Sequence, residues 1–81
     1  MEVNKEEFTL FLKETRKKIA SYNKIDKLYN VFNNNTLDEI VEKTPKTTEE
    51  LLEINGIGPA KTELWGSYLL KEIEKFLDKN Q

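Results

Sequence analysis

The chain has 81 residues, 37% hydrophobic and 35% charged, with a formal net charge of −2. Those figures bound it to one small domain with a single modest core. It contains neither Cys nor His, which excludes disulfides, thiolate and imidazole metal sites, and every catalytic triad built on His.

The first predicted helix spans about Lys5 to Tyr22. Phe8, Phe11, Leu12, Thr15, Ile19 and Tyr22 recur at spacings of three and four and so share one face. Lys13 and Lys17 lie opposite, and Arg16 and Lys18 flank the apolar stripe. Residues 23–35 carry Ile25, Leu28, Tyr29, Val31 and Phe32, too few apolar positions for a long helix. A short helical turn followed by an extended piece ending in Asn33-Asn34-Asn35 is expected.

Thr36 and Glu39 have the spacing of a capping box, with Thr36 as the N-cap of a short second helix. Leu37, Ile40 and Val41 would face inward, and the helix must stop before Pro45. Thr47 and Glu50 repeat the pattern. They open a helix from Thr48 to about Ile54, with Leu51, Leu52 and Ile54 directed inward.

Asn55-Gly56-Ile57-Gly58 then forms a tight corner, since glycine takes backbone angles that strain other residues. Pro59 suits the first position of the last helix, where a missing N–H costs nothing. That helix runs to about Leu77, with Thr62, Trp65, Gly66, Leu69, Ile73, Phe76 and Leu77 in one stripe. Gly66 on an apolar face predicts a neighbour packed too close for a side chain. The pattern as a whole predicts an all-α protein, a compact bundle of four to five helices. It forms a single domain over 1–81 with its core at about 6–77.

No apolar run approaches the roughly 18 residues that span a bilayer, and the segment from Met1 to Glu7 has no apolar signal region. A cytoplasmic monomer without membrane contact is expected. Charge is uneven. Residues 1–30 carry seven Lys/Arg against five Asp/Glu, residues 31–55 two against six, and residues 56–81 four against four. A phosphate-binding surface must therefore use the first and last helices and avoid the acidic middle. Asp38/Glu39 and Glu49/Glu50 fall in first turns of helices, where the dipole favours negative charge, and nothing completes a catalytic set around them. No metal, cofactor or catalytic residue is expected.

Three stretches carry a family resemblance: Leu12 to Ala20 (LKETRKKIA), Tyr29 to Ile40 (YNVFNNNTLDEI), and Thr47 to Leu70 (TTEELLEINGIGPAKTELWGSYLL). Together they resemble the HRDC domain, the helical module found near the C-termini of RecQ-type helicases and of ribonuclease D. Lys27-Leu28 stands where that family often has proline before the tyrosine. The resemblance implies a non-catalytic accessory domain of a larger helicase or nuclease. Its partners would be single-stranded or structured DNA, bound weakly, and the parent enzyme's other domains.

Four candidate sites follow. Asn55, Gly56 and Gly58 with Lys61 are a helix corner that could also seat a phosphate on its outward amides. Lys13, Arg16, Lys17 and Lys18 are either a solvated face or a phosphate-tracking patch, and Arg16 has Asp38 or Glu39 as possible partners. Tyr29 either wedges between the first and last helices, the favoured reading, or stacks on an unpaired base. Leu64, Tyr68 and Lys71, with Lys75, form a face that the chain itself covers, the favoured reading, or that docks a partner.

Overall fold

A computed structural model describes residues 4–79. Helix α1 (Lys5–Tyr22) begins at Asn4, whose side chain accepts from the Glu7 amide at 3.1 Å. This satisfies one of the donors that a helix start leaves open. A 3-10 turn (Leu28–Asn30) leads to α2 (Asn34–Lys43), and α3 (Thr48–Leu52) follows. Beyond the hairpin come α4 (Pro59–Lys61), a π turn (Thr62–Gly66) and α5 (Ser67–Lys79). Thr62 and Ser67 both keep right-handed helical angles, so the last three pieces make one continuous rod. Among the described residues there is no strand, and the all-α expectation holds.

The core is the set of stripes read from periodicity. Phe8, Leu12 and Ile19 of α1 meet Leu69, Ile73 and Phe76 of α5, all buried. Phe8 stacks on Phe76 with centroids 5.0 Å apart, and Tyr22 meets Tyr68, so α1 and α5 run antiparallel. Full burial of each large apolar side chain contributes about 1.5–3 kcal/mol. Val31 and Phe32 enter the same core, and Phe32 lies 5.9 Å from the Trp65 ring.

Four local expectations are corrected. The Asn run does not close an extended piece, because Asn34 and Asn35 already belong to α2. Asn33 is the N-cap, accepting from the Thr36 amide at 2.8 Å. Thr36 is therefore inside the helix. Its hydroxyl, and the Glu39 carboxylate with it, turn to the hairpin instead of to their own helix start. Leu52 is 41% exposed; α3 ends there and shows the core only one side, filled by Leu51. Tyr22 is also exposed, because the chain reverses at Asn23 and the ring rests outside on Tyr68.

The second capping box forms only in part, because the Glu50 carboxylate reaches the amide one residue before the Thr47 cap. Thr47 Oγ1 accepts from the Glu50 amide at 3.2 Å, while Glu50 accepts from the Lys46 amide at 2.8 Å. Gly66 is buried as expected. A Cβ there would lie 2.9 Å from Thr62 Cγ2 and 3.3 Å from Leu51 Cδ2. Its lack of a side chain lets α3 sit against the rod at the π turn.

Candidate nucleic-acid interface

The hairpin is anchored by two buried isoleucines just beyond α3. The Ile57 amide donates to the Ile54 carbonyl at 3.1 Å, and both side chains are buried. Anchored by these two plugs, the chain turns at Gly56, whose φ is +93°. Gly58 is extended and precedes Pro59 at the first position of the rod. The amides of Gly56 and Gly58 have no intramolecular acceptor among the described residues. Neither glycine is buried, so the corner presents donors to solvent beside the positive end of a long helix.

Lys61 lies on the first turn of that helix, and its Nζ donates to the Gly56 carbonyl at 3.1 Å. The ammonium group therefore stays at the corner, with donors to spare for an anion. Asn55 is differently placed. Its amide donates to Glu39 Oε2 at 3.3 Å, and its carbonyl accepts from Thr36 Oγ1 at 2.8 Å. The Lys43 hydrogen bond at 3.0 Å holds the Glu39 carboxyl below its ordinary pKa against desolvation, and the Asn55 amide adds a smaller pull in the same direction. A carboxylate thus already occupies the Asn55 amide, and a phosphate is left with the Gly58–Lys61 side of the corner. Asn33, Asn35, Thr36, Glu39, Asn55 and Gly56 line a polar cleft between α2 and the hairpin.

Arg16 departs most from the sequence reading. It is 9% exposed and pairs with neither Asp38 nor Glu39. Its Nη1 donates to the Phe32 carbonyl at 3.0 Å and to Asn34 Oδ1 at 3.2 Å. The guanidinium carbon sits 5.7 Å above the Phe32 ring, and the buried Nε has no acceptor. Arg16 is thus a clamp between α1 and the start of α2, set back from the solvated face of α1. Lys13, Lys17 and Lys18 are exposed, and Lys17 is 3.7 Å from Glu14.

Arg16–Asn34, Asn33–Thr36, Thr36–Asn55 and Gly56–Lys61 form a run of polar contacts from α1 across the head of α2 to the hairpin. This run brings the hairpin to the α1/α2 side of the bundle. Sequence reasoning missed Thr36 and Glu39 as parts of the corner, because their capping-box spacing carried a complete local explanation.

Tyr29 does not wedge between helices. It sits in the 3-10 turn and is 63% exposed, so its ring is open to a ligand. Leu64 is likewise uncovered at 67% exposure, against the expectation that the chain would bury it. Tyr68 is half-buried and Lys71 is exposed. Among the described residues no group of three or more acidic side chains is placed to hold a metal ion. Among the described residues no helix is long and apolar enough to cross a membrane.

Fold and corner together define a small all-α module in which a glycine hairpin joins two helices at the surface. The family model of the HRDC domain matches residues 11–73, and the chain belongs to that family. It is similar to D. radiodurans RecQ HRDC domain 3, with a TM-score of 0.86 and 28% identity over 94% of this chain and 99% of that one. It is also 46% identical over 50 residues to the ATP-dependent DNA helicase Q-like 4B of Arabidopsis thaliana. That match takes in 62% of this chain and 4% of the plant protein.

Proposed function

We propose that this chain is a non-catalytic accessory domain of a larger RecQ-like, ATP-dependent DNA helicase, and that it binds single-stranded or branched DNA weakly to help the enzyme engage its substrate. The observation that carries this reading is the exposed hairpin. Amides of Gly56 and Gly58 without an intramolecular acceptor, the start of the rod and the Lys61 ammonium all belong to this one corner. Phosphate contacts there would position a strand without reading its sequence. Exposed Lys13 and Lys17 add charge on α1, and the open Tyr29 ring offers a stacking platform.

Affinity should be micromolar or weaker and fall steeply with salt, because few cations contribute and the net charge is −2. A residue-resolved NMR titration with single-stranded DNA at low salt tests the reading. Shifts at Lys17, Tyr29, Gly58 and Lys61 support it, and silence at all four removes it.

A second reading is a docking module for the parent enzyme's other domains or another protein, without significant DNA affinity. Exposed Leu64 on the rod, the Glu39 carboxylate at the hairpin and the acidic segment 31–55 favour it. Shifts confined to Leu64 and its neighbours on adding helicase core, with none on adding DNA, would select it.

A further inference from the structure

Tyr22, the last residue of α1, is 71% exposed, yet its ring is held. It meets Tyr68 of α5 edge to face, with centroids 5.8 Å apart and planes at 89°. Tyr68 is fixed in turn, its hydroxyl donating to Glu72 Oε1 at 3.2 Å. Desolvation, and then the charge of Glu72, push the Tyr68 phenol pKa up, so it stays a neutral donor. Glu72 is 8% exposed, and its other oxygen lies 3.4 Å from Lys75 Nζ. An exposed aromatic ring thus rests on one α5 side chain, Tyr68, which Glu72 holds in place.

Two exposed lysines flank this pair in sequence. Lys18 lies one turn before Tyr22 on the same face of α1, and Lys71 lies three residues after Tyr68 on α5. Both are exposed, and neither enters an ion pair among the described residues. Glu72 is engaged as above and Glu14 lies 3.7 Å from Lys17, whereas Glu74, three residues after Lys71, and Asp26, four after Tyr22, are exposed and enter no ion pair among the described residues. Leu64, one turn before Tyr68, is exposed as well, but three side chains fall short of the about 800 Å² that a stable protein interface needs from each partner. One nucleotide needs only a ring face and a cation for its phosphate.

We propose that Tyr22, braced by Tyr68, is a base-stacking platform for single-stranded nucleic acid, with Lys18 and Lys71 taking the phosphates on either side. This rests on the nucleic-acid reading above but uses a different part of the surface, so the two can fail separately. A braced ring loses little conformational freedom when a base stacks on it, which favours Tyr22 over a loose surface tyrosine.

The test is an NMR titration of the 81-residue chain at low salt. The probes are a thymidine strand of about ten nucleotides and an abasic strand of the same charge. The Tyr22 ring signals should move upfield with the thymidine strand and stay in place with the abasic one. Tyr22→Ala should weaken binding about five- to tenfold, and Tyr22→Phe should restore it. Tyr22 is exposed, so both variants should keep the helical circular dichroism of the parent chain.

Unchanged affinity in Tyr22→Ala overturns the proposal, as does an equal response to the abasic strand. Motion at Tyr29 and Lys61 with Tyr22 and Tyr68 still removes this platform and leaves the hairpin reading standing. The converse pattern removes the hairpin and keeps the platform. Tyr22 signals that move with protein concentration in the absence of DNA assign the face to a second copy of the chain and sink the proposal.

Discussion

Thr36 Oγ1 donates to the Asn55 carbonyl at 2.8 Å across 19 positions of sequence, and this one bond ties the head of α2 to the glycine corner. It also decides which glycine is indispensable. A Cβ on Gly56 would collide with Thr36 Oγ1, and the φ of +93° strains any L side chain; a Cβ on Gly58 would meet nothing within 4 Å.

Gly56→Ala should therefore destabilise the domain by about 2–3 kcal/mol, combining backbone strain with loss of the Thr36 bond. Gly58→Ala should change stability by less than about 1 kcal/mol. Urea denaturation of the two variants checks the contrast. Equal losses would mean that the corner is held by something other than the Thr36 contact.

Thr36→Val keeps the volume and removes the hydroxyl, leaving the Asn55 carbonyl without its donor. A loss of about 1–2 kcal/mol is expected. Hydrogen exchange should quicken at Ile57, whose amide closes the turn, more than in α1. Unaltered exchange through residues 54–57 would show that the two plugs, Ile54 and Ile57, hold the hairpin without Thr36.

Much of this was legible in the sequence, and the misses share a cause. The span of α1 and the positions of the hairpin and rod followed from amphipathic periodicity, paired glycines and Pro59, all of them local signals. The head of α2 did not, because Asn33, Asn34, Asn35 and Thr36 are nearly equivalent as caps. Tertiary contacts choose among them. Arg16 binds Asn34, Thr36 binds Asn55, and Asn33 is left to cap. Arg16 itself looked like a surface cation because helix periodicity places it at the stripe's edge. Its burial depends on Phe32, 16 residues away, offering a carbonyl and a ring face.

Arg16→Met tests that clamp. The change preserves length and apolar packing but leaves the Phe32 carbonyl and Asn34 Oδ1 without a donor, so stability should fall by about 1–3 kcal/mol. The salt dependence of DNA binding should not change, because a buried guanidinium displaces no counterion. A salt slope reduced by about one would instead return Arg16 to the phosphate-binding surface.

Lys61→Ala should do the opposite. Its bond to the Gly56 carbonyl is exposed and worth about 1 kcal/mol or less, so the fold should survive nearly unchanged. The slope of log affinity against log salt should fall by about one, and binding should weaken evenly across sequences. Lys17→Ala, with its loose partner Glu14, serves as the matched comparison on α1. An unchanged slope in both variants would leave the net-acidic chain without its expected phosphate contacts.

Glu39 couples the hairpin to pH with a definite sign. Lys43 and the Asn55 amide favour its carboxylate, so its pKa is lower in the folded chain than the ordinary 4.5. The unfolded chain therefore binds the proton first. The stability Glu39 contributes is present above the ordinary value and is lost as pH falls through the lowered folded value. Between pH 7 and 5 this group should leave stability flat; below that it should add to the decline, and Glu39→Gln should remove its share. The same substitution takes a negative charge from beside the corner, so single-stranded DNA should bind about two- to threefold tighter at low salt and neutral pH. Fluorescence anisotropy on the parent chain and on Glu39→Gln measures the binding, and acid denaturation followed by circular dichroism measures the stability. A variant that binds DNA no better, with the acid limb of its stability curve unmoved, would separate Glu39 from the hairpin and place the strand elsewhere on the bundle.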